Sequence, residues 1–255
     1  MPYGRSIGVK LDQRRTRRFK AQFIHSVVDI QPRVLYLKQL LTAEQVGIKV
    51  SDKTAQSNGT IQMGSCSLCG ARSRLVKSHI IPEWAYGPLF DKSHRIMRIK
   101  SNAHKVFSYR PSGEYDRVLC GACEEQMAKL DEYGRSAIYS TPDQQTFGMK
   151  TGPNNLGLEI INLDYARMKL FQLSILWRAS VSRREFFAEL DLGTNASVIK
   201  EMLFKEQPGN PDDFGCMIVG IQNEAGQLED KFILPPTMYK IEGWNIARFY
   251  YAGCL

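Results

Sequence analysis

The feature that most constrains this chain is a set of two Cys-x-x-Cys pairs, Cys66/Cys69 and Cys120/Cys123. Each pair is spaced so that one tight turn can aim both sulfur atoms at one ion, and four thiolates complete a tetrahedral zinc site. Two disulfides or two unrelated pairs of buried thiols are the alternatives. The spacing favours a structural zinc, which would tie both ends of the segment 66–123 into one module.

Length and composition set the broad class of the protein. The 255 residues, 43% of them hydrophobic, suffice for one large or two smaller globular domains. No run of about 18 apolar residues is present, and the first thirty residues lack the apolar centre of a signal peptide. Cysteines in metal-site spacing suit a reducing compartment. We therefore expect a cytoplasmic protein with no membrane association.

Positive charge is concentrated in two segments. Residues 1–20 hold seven basic residues against one acidic residue, and residues 71–110 hold nine against two, within a chain of net charge +8. Such clustering predicts a polyanionic partner such as nucleic acid, although a solvated basic face is the alternative. The candidate contacts are Arg14, Arg15, Arg17, Arg18, Arg72, Arg74, Lys77, Arg95 and Arg98.

The chain divides into three predicted parts. Residues 1–60 are predicted to form a basic N-terminal arm and a helix near 34–46, followed by a polar linker at 51–59. Residues 61–140 form the cysteine module. Residues 141–255 form an α+β accessory domain of unknown role, so the fold class is α+β.

Within the module, a short apolar run that contains His79 and ends at Pro82 predicts a strand or turn. An acidic helix is predicted directly after the second cysteine pair, with Gly134 at its end.

The accessory domain is predicted to contain three helices. Asp164 is the expected N-cap of a buried helix that reaches Val181. A capping box from Ser182 to Glu185 predicts a second helix as far as Leu190, and residues 195–204 predict a third. Strands are predicted at 216–221, 231–234 and 247–252.

The order of these motifs resembles the HNH endonucleases, which have a zinc-anchored ββα-metal fold. The motifs are Cys66/Cys69, then His79-Ile80-Ile81-Pro82, then Cys120/Cys123. A closer likeness is to a bacterial group with Ser-His-Ile-Ile-Pro, then Leu-Cys-x-x-Cys-Glu, then Leu-Ser-x-Leu-Trp-Arg, which is found here at 173–178. The nuclease likeness covers about 80 residues, and the likeness to the bacterial group extends over most of the chain from residue 61.

The resemblance implies a phosphodiester hydrolase in which His79 is the general base and Mg²⁺ or Mn²⁺ is the catalytic metal. Glu124, directly after the last cysteine, is the first candidate metal ligand, and Glu132 and Glu125 come next. Many members carry an acidic residue before the histidine, where this chain has Ser78. The resemblance also implies a role in anti-phage defence and an ATPase partner.

Because this chain has Ser78 where many members have an acidic residue, two alternatives remain open. His79 can be a structural histidine or an accessory zinc ligand, and the module can be a catalytically inactive zinc module that binds nucleic acid or a protein. For Glu124 the alternative is an ordinary acidic residue in the first turn of a helix. His94 and His104 lie in the basic insertion and are expected to be solvated.

Overall fold

The computed structural model describes residues 22–23, 62–100, 106–139, 148–151, 158–216, 218–221, 229–241 and 243–254. Most of the N-terminal arm, with the four arginines at 14–18, lies outside these ranges. The predicted helix at 34–46, the linker at 51–59 and His104 also lie outside them.

The described residues form small antiparallel sheets and helices, which confirms the α+β class. The strands are β1 (Gln22–Phe23), β2 (Met63–Ser65), β3 (Arg72–His79), β4 (Ile96–Lys100), β5 (Val106–Arg110), β6 (Tyr115–Cys120), β7 (Gly148–Thr151), β8 (Leu158–Ile161), β9 (Leu234–Ile241) and β10 (Trp244–Tyr250). The helices are α1 (Gly121–Tyr139), α2 (Tyr165–Val181) and α3 (Asn195–Phe204). Short 3₁₀ helices span Glu83–Leu89 and Glu185–Phe187.

A three-stranded antiparallel sheet in the order β2-β3-β6 carries the cysteine module, and β4 pairs with β5 in a hairpin. Helix α1 follows β6 without a loop. Strands β3 and β6 are antiparallel and α1 follows them, so these elements have a ββα order.

A register shift in the β3–β6 ladder decides which way the end of β3 faces. Val76 pairs with Leu119, but Ser78 pairs with Asp116, so β6 contains one extra residue between these pairs. Leu75 is buried, Lys77 is exposed, and Ser78 is fully buried. Leu75 and Ser78 are three residues apart and both buried, so the buried side of β3 changes in the same short stretch where the register shifts. His79 is half-buried at the last position of the strand.

Helix α1 continues past the glycine that was predicted to end it. Gly134 lies within the helix, and a Cβ atom built there would lie 2.4 Å from Phe171 Cζ. The prediction was wrong because Gly134 permits close packing of α1 on α2, and its backbone stays helical.

The accessory region agrees with the sequence in part. The Asp164 side chain accepts a hydrogen bond from the Arg167 N–H and so caps α2, and α3 has the predicted bounds. The helix predicted from Ser182 to Leu190 is wrong, because only Glu185–Phe187 is helical and Ser182 instead follows the end of α2.

The strand predictions near the C-terminus need correction as well. Of the residues predicted as a strand at 231–234, only Leu234 lies in one, as the first residue of β9. In the described part of 216–221, Gly220 forms an isolated bridge with Cys254. The final strand, predicted at 247–252, is β10, which begins earlier at Trp244, where it pairs with Ile241 of β9, and ends at Tyr250.

One hydrophobic cluster includes residues of the cysteine module and of the C-terminal helices. Leu119 and Met127 belong to it, and so do Phe171, Trp177 and Leu203, all of them almost fully buried. The Gln126 amide of α1 also donates a hydrogen bond of 2.8 Å to the Leu203 carbonyl of α3. The division at residue 140 stays a prediction, and the two sides of it share this core.

Candidate metal centre and adjoining histidine

The four cysteines of the two pairs converge on one point. One ligand atom from each of Cys66, Cys69, Cys120 and Cys123 lies within 4.8 Å of all the others. The Sγ atoms of Cys69 and Cys120 are 3.9 Å apart, and all four thiols are free. A tetrahedral zinc with Zn–S bonds of about 2.3 Å requires sulfur atoms about 3.8 Å apart, whereas a disulfide needs about 2 Å. The cluster can therefore hold a metal ion, and its geometry suits zinc.

Tight backbone turns aim these thiols. Gly70, at φ +77°, follows the first pair, and its N–H donates to the Cys66 carbonyl at 2.8 Å. The second pair spans the junction between β6 and α1, so Cys123 lies in the first turn of the helix. The positive end of the helix dipole favours thiolate charge there.

The thiols differ in how readily they ionise. Burial opposes ionisation of Cys66, but backbone N–H groups of Cys69, Cys120 and Leu68 together lower its pKa to about 7. The Cys120 N–H lies 3.4 Å from Cys66 Sγ. Burial and the neighbouring thiols raise the pKa of Cys123. A cation in the cluster would offset this mutual repulsion, since metal ligands bind as thiolates.

His79 lies at the end of β3. Its Nδ1 is 3.9 Å from Glu83 Oε2, and its ring meets Tyr115 edge-on at 6.3 Å between centroids. Nε2 is buried and makes no hydrogen bond to any described residue. Burial lowers the pKa of His79 from its ordinary 6.5, with Glu83 acting in the opposite direction. The imidazole is therefore neutral at pH 7 and can accept a proton at Nε2.

Ser78 and Glu124 face each other from β3 and α1. The Ser78 hydroxyl lies close enough to favour the ionised form of Glu124, yet burial outweighs it and raises the pKa of Glu124. Ser78 Oγ and Glu124 Oε2 are both buried, and neither completes a hydrogen bond within the described part of the chain. An unpaired buried polar atom is costly, so this pair is poised for a further ligand.

A buried ion pair holds this region together, and the sequence predictions did not include it. Arg178 of α2 is fully buried, and it contacts both carboxylate oxygens of Asp131 in α1 at 2.6 and 2.9 Å. Its Nη1 also donates to the His79 carbonyl at 2.7 Å. Both His79 and Glu124 experience the charges of this pair. The sequence offered one signal for a buried Arg178: this arginine follows Trp177 near the end of a largely apolar helix.

The other two predicted metal ligands, Glu125 and Glu132, do not face Ser78. Glu125 and Glu132 are exposed on α1, and Glu132 lies 3.8 Å from Arg135. Of the three carboxylates, only Glu124 faces Ser78. His94 stacks on Phe90 at 4.0 Å between ring centroids, in the turn before β4.

The predicted nucleic-acid contacts occupy different environments. Arg72, Arg74 and Lys77 are exposed along β3. Arg95 pairs with Asp91 at 2.9 Å, and Arg98 lies between Glu114 at 3.9 Å and Glu185 at 3.8 Å. Nucleic-acid contact by these residues stays a prediction.

No family model matches this chain, and neither a curated protein nor a solved structure resembles it significantly. The resemblance to HNH endonucleases therefore depends on the motifs and on the ββα order described above. None of the helices in the described ranges is long and apolar enough to cross a membrane.

Proposed function

We propose that this protein is a metal-dependent endonuclease of HNH type that hydrolyses phosphodiester bonds of nucleic acid, with DNA as the expected substrate. The observation that supports the proposal is that three side chains near the cysteine cluster each keep a buried polar atom without a hydrogen-bond partner in the described residues: His79 Nε2, Ser78 Oγ and Glu124 Oε2. They belong to the end of β3 and the start of α1, beside a cysteine cluster that can hold a structural zinc.

The proposed roles follow from the chemistry of each group. Glu124, with Ser78 beside it, would hold a divalent cation, which supplies charge stabilisation at the phosphate and the leaving oxygen. His79 Nε2 accepts a proton from a water molecule whose oxygen forms the new bond to phosphorus. The bond to the 3′ oxygen breaks, and that oxygen takes a proton from solvent. Glu83, near Nδ1, favours the tautomer that leaves Nε2 basic.

The burial of Glu124 is consistent with this role. Its raised pKa shows that an unpaired carboxylate is disfavoured at this position. A cation would stabilise the charged form, so metal binding should release a proton where Glu124 is protonated beforehand. Glu124 would thereby compensate for the missing acidic residue at Ser78.

The test compares cleavage of plasmid and single-stranded DNA by wild type, His79→Asn and Glu124→Gln, with Mg²⁺ or Mn²⁺ and with chelator. We expect metal-dependent cleavage that His79→Asn reduces about 10²- to 10⁴-fold, the usual contribution of a general base. Glu124→Gln should raise the metal concentration needed for half-maximal rate. Each variant is first shown to keep its zinc and its unfolding temperature.

Two matched controls separate these roles from general charge effects. His94→Asn removes another histidine of the module, and Glu125→Gln removes the neighbouring exposed carboxylate, so both should cleave like wild type. Equal loss in Glu124→Gln and Glu125→Gln would contradict the ligand assignment.

The second candidate function is an inactive zinc module that binds nucleic acid, and Ser78 in place of a carboxylate favours it, since a hydroxyl is a weak magnesium ligand. It predicts that wild type binds DNA without cleaving it under any metal, and that His79→Asn lowers stability only.

A further inference from the structure

A basic cluster surrounds Tyr115, on the strand directly opposite His79. The Lys77 Nζ atom lies 4.3 Å from the Tyr115 ring centroid, and the Arg184 guanidinium carbon lies 5.2 Å from it. Tyr115 pairs with His79 in the β3–β6 ladder. We call Lys77, Tyr115 and Arg184 the Tyr115 cluster. The sequence predictions included Lys77 but neither of the other two.

The backbone of β6 holds Arg184 in place. Its Nε donates a hydrogen bond of 2.7 Å to the Tyr115 carbonyl, while its terminal nitrogens bond to no described residue. Arg184 and Tyr115 also line a shallow cleft with Arg110, Ser112 and Glu114. The Nε atom of Arg184 is thus held by a hydrogen bond, while its terminal nitrogens can bind an anion, as expected of a preorganised anion-binding group.

Neither cation of the cluster has an acidic partner at ion-pair distance in the described part of the chain, although Glu114 lines the same cleft. Among the described residues, Lys77 and Arg184 form no ion pair, whereas Arg110 pairs with Glu114 at 3.1 Å and Arg95 pairs with Asp91. Both cations lie within cation–π distance of the same Tyr115 ring. A phosphate bound by both would neutralise part of their positive charge.

We propose that the Tyr115 cluster binds a backbone phosphate of the nucleic acid, next to the phosphodiester that His79 attacks. The proposal rests on the proposed function for its substrate and assigns one side of the site to substrate positioning. The Arg184 fork and the Lys77 ammonium match phosphate oxygens, and the aromatic ring keeps the two cations together. A phosphate contact positions the strand and does not read its sequence.

The test measures binding of fluorescein-labelled single-stranded and duplex DNA by anisotropy, without divalent metal, over a range of salt concentrations. We expect Lys77→Gln and Arg184→Gln each to weaken binding about tenfold, as for loss of one charge-assisted hydrogen bond. On duplex DNA the magnitude of the slope of log K against log salt should fall by about 0.9 in total when this one phosphate contact is lost. Lys129→Gln, an exposed cation on α1, should change neither.

Two further comparisons make the assignment specific. The double variant should lose less than the product of the single losses, because both cations bind one phosphate. Tyr115→Phe keeps the ring and should bind like wild type, whereas Tyr115→Leu should resemble the double variant. Zinc content and unfolding temperature exclude misfolding.

The outcomes separate this inference from the proposed catalytic function. Wild-type affinity and salt slope in Lys77→Gln and Arg184→Gln would overturn the cluster, as would a wild-type protein that binds no nucleic acid. Tight binding that depends on the cluster, without cleavage under any metal, would support the cluster and contradict the nuclease.

Discussion

The pKa of His79 depends on the balance between burial and the nearby charges. Burial favours the neutral imidazole most strongly, and the positive charges of Lys77 and Arg178 act in the same direction. Glu83 and Asp131 favour the protonated form, but they do not outweigh the others. The ring is therefore unprotonated near neutral pH, which is the state a general base requires.

We predict that His79 titrates below pH 6.5 in the folded protein. The measurement is an NMR titration of the histidine ring protons without divalent metal, with the His79 signal assigned through His79→Asn. The unfolded chain binds the proton first as pH falls, so His79 should also lower the free energy of unfolding as pH drops below about 6.5. A midpoint at or above 6.5 would mean that Glu83 and Asp131 dominate.

At this scale, the sequence identified the residues whose chemistry depends on local spacing. The cysteine pairs were predictable because each turn is defined by adjacent residues. The Arg178–Asp131 pair was not, because its members come from two helices whose packing the sequence does not reveal. The sequence ranked Glu124 ahead of Glu132 and Glu125 by its place after the last cysteine, but only the position of β3 shows that Glu124 faces Ser78.

Among the elements, α1 contains a glycine, Gly134, whose role is set by helix packing and not by its place in the sequence pattern. Sequence rules place Gly134 at a helix end, yet the helix continues to Tyr139 with Phe171 against its backbone. Trp84 stacks on the same Phe171 ring at 6.3 Å and donates to the Asp131 carbonyl at 2.9 Å. The close packing of α1 against α2 therefore helps to position Asp131, which binds Arg178 beside the candidate site.

We predict that Gly134→Ala destabilises the protein, although alanine is the better helix former. Helix propensity would stabilise by about 1 kcal/mol, whereas forcing a methyl group against Phe171 typically costs about 1–3 kcal/mol, so we expect a net loss of up to about 2 kcal/mol. Denaturant unfolding measures the balance. Gly121→Ala, in the same helix with no atom within 4 Å of its Cβ position, is the control.

The cost should shrink when Phe171 is made smaller. In a Phe171→Leu background, Gly134→Ala should destabilise by less than it does in wild type, since the two sites are in contact. A Gly134→Ala protein more stable than wild type would show that the helices can move apart freely.

Across the whole molecule, the cysteine cluster and the C-terminal helices share one hydrophobic core. Arg178 of α2 bonds to the His79 carbonyl of β3 and to Asp131 of α1, and the same hydrophobic cluster contains Cys66, Cys123 and Trp177. The sequence predicted α2 and its burial correctly, but it gave no sign of what the helix packs against. The structure shows that its partner is the module that carries the candidate site.

We predict one zinc per chain and a cooperative loss of structure when it is removed. Structural zinc sites contribute about 10 kcal/mol or more to folding in small domains. Because the core is shared, zinc removal should lower the unfolding temperature of the whole chain, reported by fluorescence of the buried Trp177 as well as by circular dichroism. Cys69→Ser should act in the same way, whereas Cys216→Ser, an exposed cysteine outside the cluster, should not. Clearly less than one zinc per chain, or a zinc-free protein with unchanged unfolding, would contradict the metal centre and its coupling to α2.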